Sequence, residues 1–362
     1  MKVFFASTIG AAPYEDPNFK QQVQWSNLKL DEFEHVFLNN EPLSSSKTLD
    51  APHIVEELDS FGADVVIVYG YWQRFQQRVH RWTRDHKALL YYISDSEIHR
   101  QESKLKRFLK SLRSKRVFRN VDRFLTVGNA NEFYYHSLGV PTERMTRMQF
   151  SIDVQEFDVA YECRHELRQE TRNRLGVSND CTVLSVAGKL VSWKRQRDAI
   201  EAIARIDRTR DVLLVLMGSG PDELELRDLV NQICPDRVHF AGFVPPTDLP
   251  NYYLATDIYL HCSNYEPHSL AISEAIYLGL PLILSSRCGS YGPLDDLQPG
   301  KNGFVYPVGD VTALAKSVER MIENVELREL FAAESRAYAG NAQERAHQSF
   351  LTQALRADGL IG

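Results

Sequence analysis

Short apolar, β-branched runs alternate along the chain with longer stretches whose apolar positions recur every three or four residues. Residues 3–7, 65–69, 89–94 and 124–127 read as strands in the first half, and 182–187, 212–217, 238–240, 258–261 and 282–285 in the second. Between them, 197–206 and 312–322 carry the amphipathic helical period. Strands that are apolar throughout, instead of at every second position, are covered on both faces. The alternation therefore predicts parallel sheets flanked by helices. The pattern breaks over the polar, charged residues 161–180 and then restarts. Two doubly wound α/β domains are expected, over residues 1–165 and 166–340, with a helical segment at 341–362 that can pack back on the first. Ligands of such sheets bind beyond the carboxyl ends of the strands, so a cleft between the domains is the place to look for chemistry. No repeat of solenoid period and no low-complexity segment interrupts this reading.

Composition adds limits. A chain of 362 residues exceeds one typical core. Its 43% apolar and 25% charged content is ordinary, and a net charge of −6 excludes a protein that is nucleic-acid-binding as a whole. Basic surface must be local, and residues 100–119 supply it. They hold nine Lys/Arg (Arg100, Lys104, Lys106, Arg107, Lys110, Arg113, Lys115, Arg116 and Arg119) against the single acid Glu102. Leu105, Phe108, Leu109 and Leu112 recur there at i, i+3, i+4 and i+7, which predicts a basic amphipathic helix. It is either a solvated charged face packed on its domain or a surface for anionic lipid. The five cysteines (Cys163, Cys181, Cys234, Cys262 and Cys288) are scattered and lack CxxC spacing. They read as reduced core thiols of a cytoplasmic protein, not as a zinc site or disulfide framework. No apolar run reaches the roughly 18–20 residues of a membrane span. Residues 1–9 lack the basic leader of a signal peptide and read as a first buried strand.

Four clusters carry candidate chemistry. The densest is Asn264-Tyr-Glu-Pro-His-Ser-Leu-Ala-Ile-Ser-Glu274-Ala-Ile-Tyr-Leu-Gly-Leu-Pro281, in which seven residues separate Glu266 from Glu274. Alone, such a pair reads as solvated charge. Here Glu266 follows a strand, Ser269 can cap a helix, and Leu270, Ile272, Ala275, Ile276 and Leu278 make that helix apolar nearly all round. A buried Glu274 needs a partner, and two ribose hydroxyls would satisfy it. The helix start beside it offers free N–H groups for a diphosphate. The second cluster, Ala187-Gly-Lys189-Leu-Val-Ser-Trp-Lys194, places two lysines five residues apart after a strand, where they can converge on one anion. The third is the glycine turn Gly218-Ser-Gly-Pro221. The fourth, residues 238–245, is a strand that ends in a turn with an exposed aromatic, Phe243. No Asp-x-Asp triplet stands in a strand-end loop, so lysines and a helix start would neutralise an anionic leaving group without metal.

The order and spacing of these pieces over about 182–322, with Gly279-Leu-Pro281 and Asn302-Gly303, resemble the C-terminal domain of glycosyltransferase family 4. The resemblance implies a GT-B fold, two Rossmann-like domains around a donor–acceptor cleft. It implies a retaining, metal-independent hexosyltransferase with an E-x7-E motif that uses a UDP-sugar, glucose first. The acceptor it suggests is a growing polysaccharide or a lipid-linked glycan, as in exopolysaccharide synthesis at the inner face of the membrane. It assigns Lys189 and Lys194 to the diphosphate, Glu274 to the ribose, Glu266 to the transferred sugar, and Phe243 and Val244 to the base. Gly218, His268, Ser269, Leu270 and Gly10 complete the implied donor contacts. Lys189 stands where Arg is more usual, which keeps the charge and loses the bidentate fork. His268-Ser269 stand for a commoner Phe-Gly, and Gly10 is a single glycine where the family has two. In the first half, Asp95 with Ser94 is the candidate for the reacting centre, the other reading being a helix cap. Two further readings are a nucleotide-sugar epimerase on the same fold and an inactive sugar-nucleotide-binding module.

Overall fold

A computed structural model of the chain describes residues 1–16, 21–23, 28–43, 48–99, 103–345 and 348–361. Arg100 and Glu102 of the basic segment lie outside the described residues. The strands are β1 (Lys2–Phe5), β2 (Tyr14–Asp16), β3 (Gln21–Val23), β4 (Glu34–Phe37), β5 (Val65–Tyr69), β6 (Leu89–Ile93), β7 (Arg123–Thr126), β8 (Met145–Arg147), β9 (Thr182–Ala187), β10 (Val212–Met217), β11 (Val238–Gly242), β12 (Ile258–His261), β13 (Leu282–Ser285) and β14 (Gly303–Tyr306). The helices that matter below are α1 (Ile54–Phe61), α2 (Arg74–His86), α3 (Lys104–Phe118), α4 (Asn129–Ser137), α5 (Gln155–Glu162), α6 (Arg164–Leu175), α7 (Gln196–Arg205), α8 (Glu223–Ile233), α9 (Leu249–Ala255), α10 (Leu270–Tyr277), α11 (Val311–Glu323), α12 (Val325–Arg345) and α13 (Gln348–Ala357).

The second half forms one six-stranded sheet, ordered β11-β10-β9-β12-β13-β14 and parallel throughout. The order reverses between β9 and β12, which opens a crevice at their carboxyl ends. Every residue of β9 is buried, as its unbroken apolar run requires. One face packs on α7, α8 and α11 through Ile200, Ile203, Leu226 and Leu314. The other packs on α9 and α10 through Tyr253, Leu254, Ile272 and Ile276. The first half holds a four-stranded parallel sheet, β5-β6-β7-β8, and a parallel pair, β1-β4. Phe4 of β1 and Leu38, just past β4, pack against the core of Val68, Leu90, Tyr92 and Phe124. This is the GT-B architecture, with two Rossmann-like units.

The polar stretch 161–180 holds α6, which packs on α9. Its Arg172 is fully buried, because the guanidinium donates to the carbonyls of Ala255 and Ser178 and pairs with Asp257. At the chain's end, α13 lies on the first sheet. Ala354 packs with Tyr91, Ile93 and Leu125, and Asp358 accepts from the Tyr91 hydroxyl at 2.6 Å and pairs with Arg123.

The basic segment is helical as its period predicts, but its apolar row is not packed on the domain. Ser114 and Phe118 face inward, whereas Leu105, Phe108, Leu109 and Leu112 are 69%, 60%, 57% and 52% exposed. Periodicity reports that a stripe exists, not which way it points.

Candidate functional site

Three turns at the carboxyl edge of the second sheet lie backbone against backbone. Gly188 N donates to Met217 O, Gly218 N to Gly242 O and Leu190 N to Ser219 O, at 2.7–2.9 Å. Only glycine permits this. A Cβ on Gly218 would stand 2.1 Å from Gly188 O, and its φ of 146° is foreign to L side chains. The glycine turns after β9, β10 and β11 thus make a low, open floor. Phe243 stands at its rim, 44% exposed, and Val244 is buried behind it.

Lys189 and Lys194 both lie in the turn that follows β9. The Lys194 side chain runs over the open face of Gly188, its Nζ 3.9 Å from where a Cβ would be. Gln196 Nε2 donates to Lys189 O at 2.8 Å, which ties that residue to the start of α7. Arg195, in left-handed backbone with φ 53°, ends the short turn Ser192–Lys194 and clamps buried Asp198 at 2.8–2.9 Å. That pair holds the loop in the shape that presents Lys194.

Glu266 meets Lys194 in an ion pair, with both side chains largely buried. Its Oε2 also faces His261 Nε2 at 3.1 Å and accepts from Ser263 Oγ at 3.2 Å. Burial alone would raise this carboxyl. The His261 hydrogen bond and the Lys194 charge outweigh it and hold Glu266 well below the usual carboxylate range. Burial keeps His261 itself neutral. Glu266 is therefore a fixed acceptor at the mouth of β12. Its loop doubles back against 287–289, where Gly289 N donates to Glu266 O at 2.7 Å.

Glu274 lies one helix further in. The helix is α10, begun at Ser269 and ended by Gly279. Sequence reasoning left Glu274 in need of a partner, and the chain supplies one: the Tyr253 hydroxyl donates to its Oε2 at 2.9 Å. Burial raises the Glu274 carboxyl, and Tyr253 only partly offsets that. Ser269 occupies the cap position, but its hydroxyl makes no capping bond. Instead Ser290 Oγ accepts from Ser269 N at 3.3 Å. Leu270 faces out, 46% exposed. His268 is kept neutral by burial; its ring sits edge-on to Phe150 at 5.4 Å, and its Nε2 is buried without a hydrogen-bond partner.

The first domain faces this floor with the loop after β6. Asp95 is half-buried, hydrogen-bonds with Tyr69, and its charge reaches His268 across the cleft. Glu97 stands two residues on, in the same polar cluster 92–99. It is buried, accepts from His99 N, and has an Oε1 with no hydrogen-bond partner. Tyr265, beside Glu266, lies against it, and burial pushes its carboxyl up to about 7. The His99 ring stacks on Tyr291 of the second domain at 6.1 Å. The cleft is braced by Arg147 on β8, which bonds Glu132 and Asp295 at 2.6–2.9 Å. Gly10 lies in the turn after β1, held by the bonds of Thr8 N and Ser7 Oγ to the carbonyls of Glu41 and Leu43. Those bonds belong to the first domain. Tyr253 and His261 gave no motif; a buried hydroxyl or imidazole reveals its partner only in three dimensions.

Residues 168–338 match the model of the glycosyl transferases group 1 family. The alpha-D-kanosaminyltransferase of Streptomyces kanamyceticus is 30% identical over 53% of this chain and 49% of its own length. The lipopolysaccharide core biosynthesis glycosyltransferase LpsE of Rhizobium meliloti is 29% identical over 50% of this chain and 48% of its own. The chain thus spans about half the length of the curated relatives it matches. Among solved structures, Anabaena HepE in complex with UDP superposes with a TM-score of 0.72 at 17% identity over 100% of both chains. Sucrose-phosphate synthase of Thermosynechococcus elongatus does so at 0.71 and 18%, over 99% of this chain and 88% of its own. By fold the chain is a GT-B architecture over its whole length, and over residues 168–338 its sequence is similar to the glycosyl transferases group 1 family.

Proposed function

We propose that the protein is a retaining, metal-independent glycosyltransferase that moves a hexose, glucose first, from a UDP-sugar to a polysaccharide or lipid-linked glycan. The observation that carries this reading is the Lys194–Glu266 ion pair beside the glycine floor, at the point where the strand order reverses, with Glu274 held in α10 behind it. Relatives of this domain are named as transferases of several sugars, and solved neighbours are described with UDP and UDP-glucose. In this account the diphosphate lies between Lys189, Lys194 and the start of α10, where Leu270 presents its N–H group beside Ser269. Glu274 accepts from the ribose hydroxyls, and Gly218 lets the backbone approach the nucleotide. Phe243 and Val244 border the base.

Ionised Glu266 then accepts from hydroxyls of the transferred sugar. His268, neutral, offers Nε2 to the same sugar, and Asp95 approaches from the opposite domain. The bond from the anomeric carbon to the diphosphate oxygen breaks as the acceptor oxygen bonds to that carbon on the same face. The acceptor's proton passes to the departing phosphate oxygen, and the two lysines stabilise the charge that develops there. No carboxylate is needed as nucleophile. The work is cytoplasmic, at the inner face of the membrane. Incubation with labelled UDP-glucose, with and without glycan acceptors, tests the reading. Transfer of label with release of UDP supports it. Isomerisation of the sugar without acceptor identifies an epimerase, and binding without turnover an inactive module.

A further inference from the structure

We propose that Tyr69 selects the acceptor: an uncharged sugar ring stacks by its C–H face on the tyrosine, while its hydroxyls donate to Asp95 beside it. The inference rests on the transfer reading above and narrows it, since the acceptor is then held through a sugar and not through a phosphate.

The first observation is an aromatic ring left open at the cleft. Tyr69 ends β5, the outermost strand of its sheet, and Gly70 turns the chain away with a φ of 81°. Ile67 and Tyr69 pair with Tyr91 and Ile93 of β6 and share their face of the sheet. On that face α13 packs over Tyr91, Ile93 and Leu125. It leaves the edge strand uncovered, with Ile67 43% and Tyr69 50% exposed. The Tyr69 hydroxyl is nevertheless held. It hydrogen-bonds with Asp95, and burial, aided by the Asp95 charge, pushes it up, so it stays protonated. The polar end is thus desolvated, and what the residue leaves open is chiefly its ring.

The second observation is continuity with the donor site. The Phe150 ring lies 6.4 Å from that of Tyr69 and 5.4 Å, edge-on, from that of His268. The charges of Glu266 and Asp95 both reach His268. A wall of rings therefore runs from the open face of Tyr69 to the place where Glu266 holds the transferred sugar, and Asp95 stands along it. A ring seated on Tyr69 has Asp95 at its edge and the donor sugar beyond.

The third observation is the chemistry of the pair. The face of an aromatic ring is electron-rich, and the C–H hydrogens of a sugar, polarised by the neighbouring oxygens, carry partial positive charge. A carboxylate only accepts, and it can take two hydroxyl donors. One apolar face beside one hydroxyl-bearing edge is the shape of a pyranose. A phosphate would be repelled by Asp95, and an acyl chain would bury that carboxylate without giving it a donor.

Saturation-transfer NMR tests the site on the UDP-saturated protein, with methyl glucoside, galactoside, mannoside and N-acetylglucosaminide as probes. At least one should bind, with its ring C–H protons saturated most strongly. Tyr69→Ala and Tyr69→Leu should each weaken that glycoside about 10-fold, and Tyr69→Phe, which keeps the ring, should restore most of the loss. Phe61→Ala removes an exposed ring at the far end of the domain, before β5 begins, and should bind as wild type does. Glucose 6-phosphate should bind more weakly than methyl glucoside. Unchanged UDP affinity and melting would show that the variants fold. Binding of no glycoside by wild type overturns the proposal, as does a leucine variant equal to wild type or a phenylalanine variant as weak as alanine. Preference for glucose 6-phosphate would overturn the choice of an uncharged ring. Failure of UDP to bind would instead strike the transfer reading, and the glycoside titration, repeated without UDP, would still decide the role of Tyr69.

Discussion

Glu274→Gln should move UDP affinity and stability in opposite directions. The carboxyl is nearly buried in α10 with one donor, Tyr253, on Oε2. Burial raises its pKa from the ordinary 4.5. A raised acid favours the protonated fold, so the penalty is absent below about pH 4.5, grows as pH rises through the folded value and is complete above it. Glutamine keeps the Tyr253 bond through its carbonyl oxygen and carries no charge, so the ligand-free variant should be as stable at pH 7 as wild type or more so. UDP binding should suffer. Two ribose hydroxyls donating to a carboxylate become donors to a neutral amide, a loss on the order of 1.5–3 kcal/mol, or about 10–100-fold in Kd. With UDP at about 100 times the wild-type Kd, binding stabilises wild type by about 2.7 kcal/mol; a 30-fold weaker variant gains only about 0.9 kcal/mol. For 362 residues each kcal/mol moves Tm by about 1–2 °C. Calorimetric titration with paired melting curves, with and without UDP, reads both effects. Wild-type affinity, or a less stable ligand-free variant, would make Glu274 a structural carboxylate and refute the reasoning.

Other expectations follow from the same geometry. Glu97, raised to about 7 by burial, should weaken the fold as pH rises from about 4.5 to 7. Glu97→Gln should therefore match wild type at pH 4.5 and exceed it at pH 8 by about 2 kcal/mol, allowing for partial screening; a gap independent of pH in chemical denaturation would speak against this. Gly218→Ala drives a Cβ into Gly188 O and should cost both stability and UDP affinity, whereas Gly176→Ala, with open space around it, should cost only the strain of its φ of 71° and leave UDP binding intact. Arg147→Ala strands buried Asp295, whose carboxyl is already pushed up to about 6, and should cost on the order of 3–5 kcal/mol in urea unfolding at pH 7.5 and less at pH 5. Transfer should persist in excess EDTA; loss reversed by manganese would contradict the role given to Lys189 and Lys194.

The second domain was legible because most of its strands are apolar runs, and those at β9, β10 and β11 are closed by glycine turns. Five of its six strands lie where the pattern puts them, and Glu266, Glu274, Lys189 and Lys194 were singled out by their place at strand ends together with the family resemblance. The sixth, β14, is short and half-buried and gives little signal. The first domain was harder to read. Strand β4, Glu-His-Val-Phe, is short and part-polar, and Arg172 looks like surface charge until the carbonyls around it are seen. The direction of the α3 stripe and the Tyr253–Glu274 bond depend on chain neighbours far apart in sequence, which no local period encodes.

A crystal structure with UDP bound tests the central claim most directly. The account predicts ribose hydroxyls within hydrogen-bond distance of Glu274, a diphosphate between Lys189, Lys194 and the first N–H groups of α10, and Lys194 shared between phosphate and Glu266. UDP bound away from the glycine floor, or a floor that stays empty of UDP at saturating concentration, would contradict it.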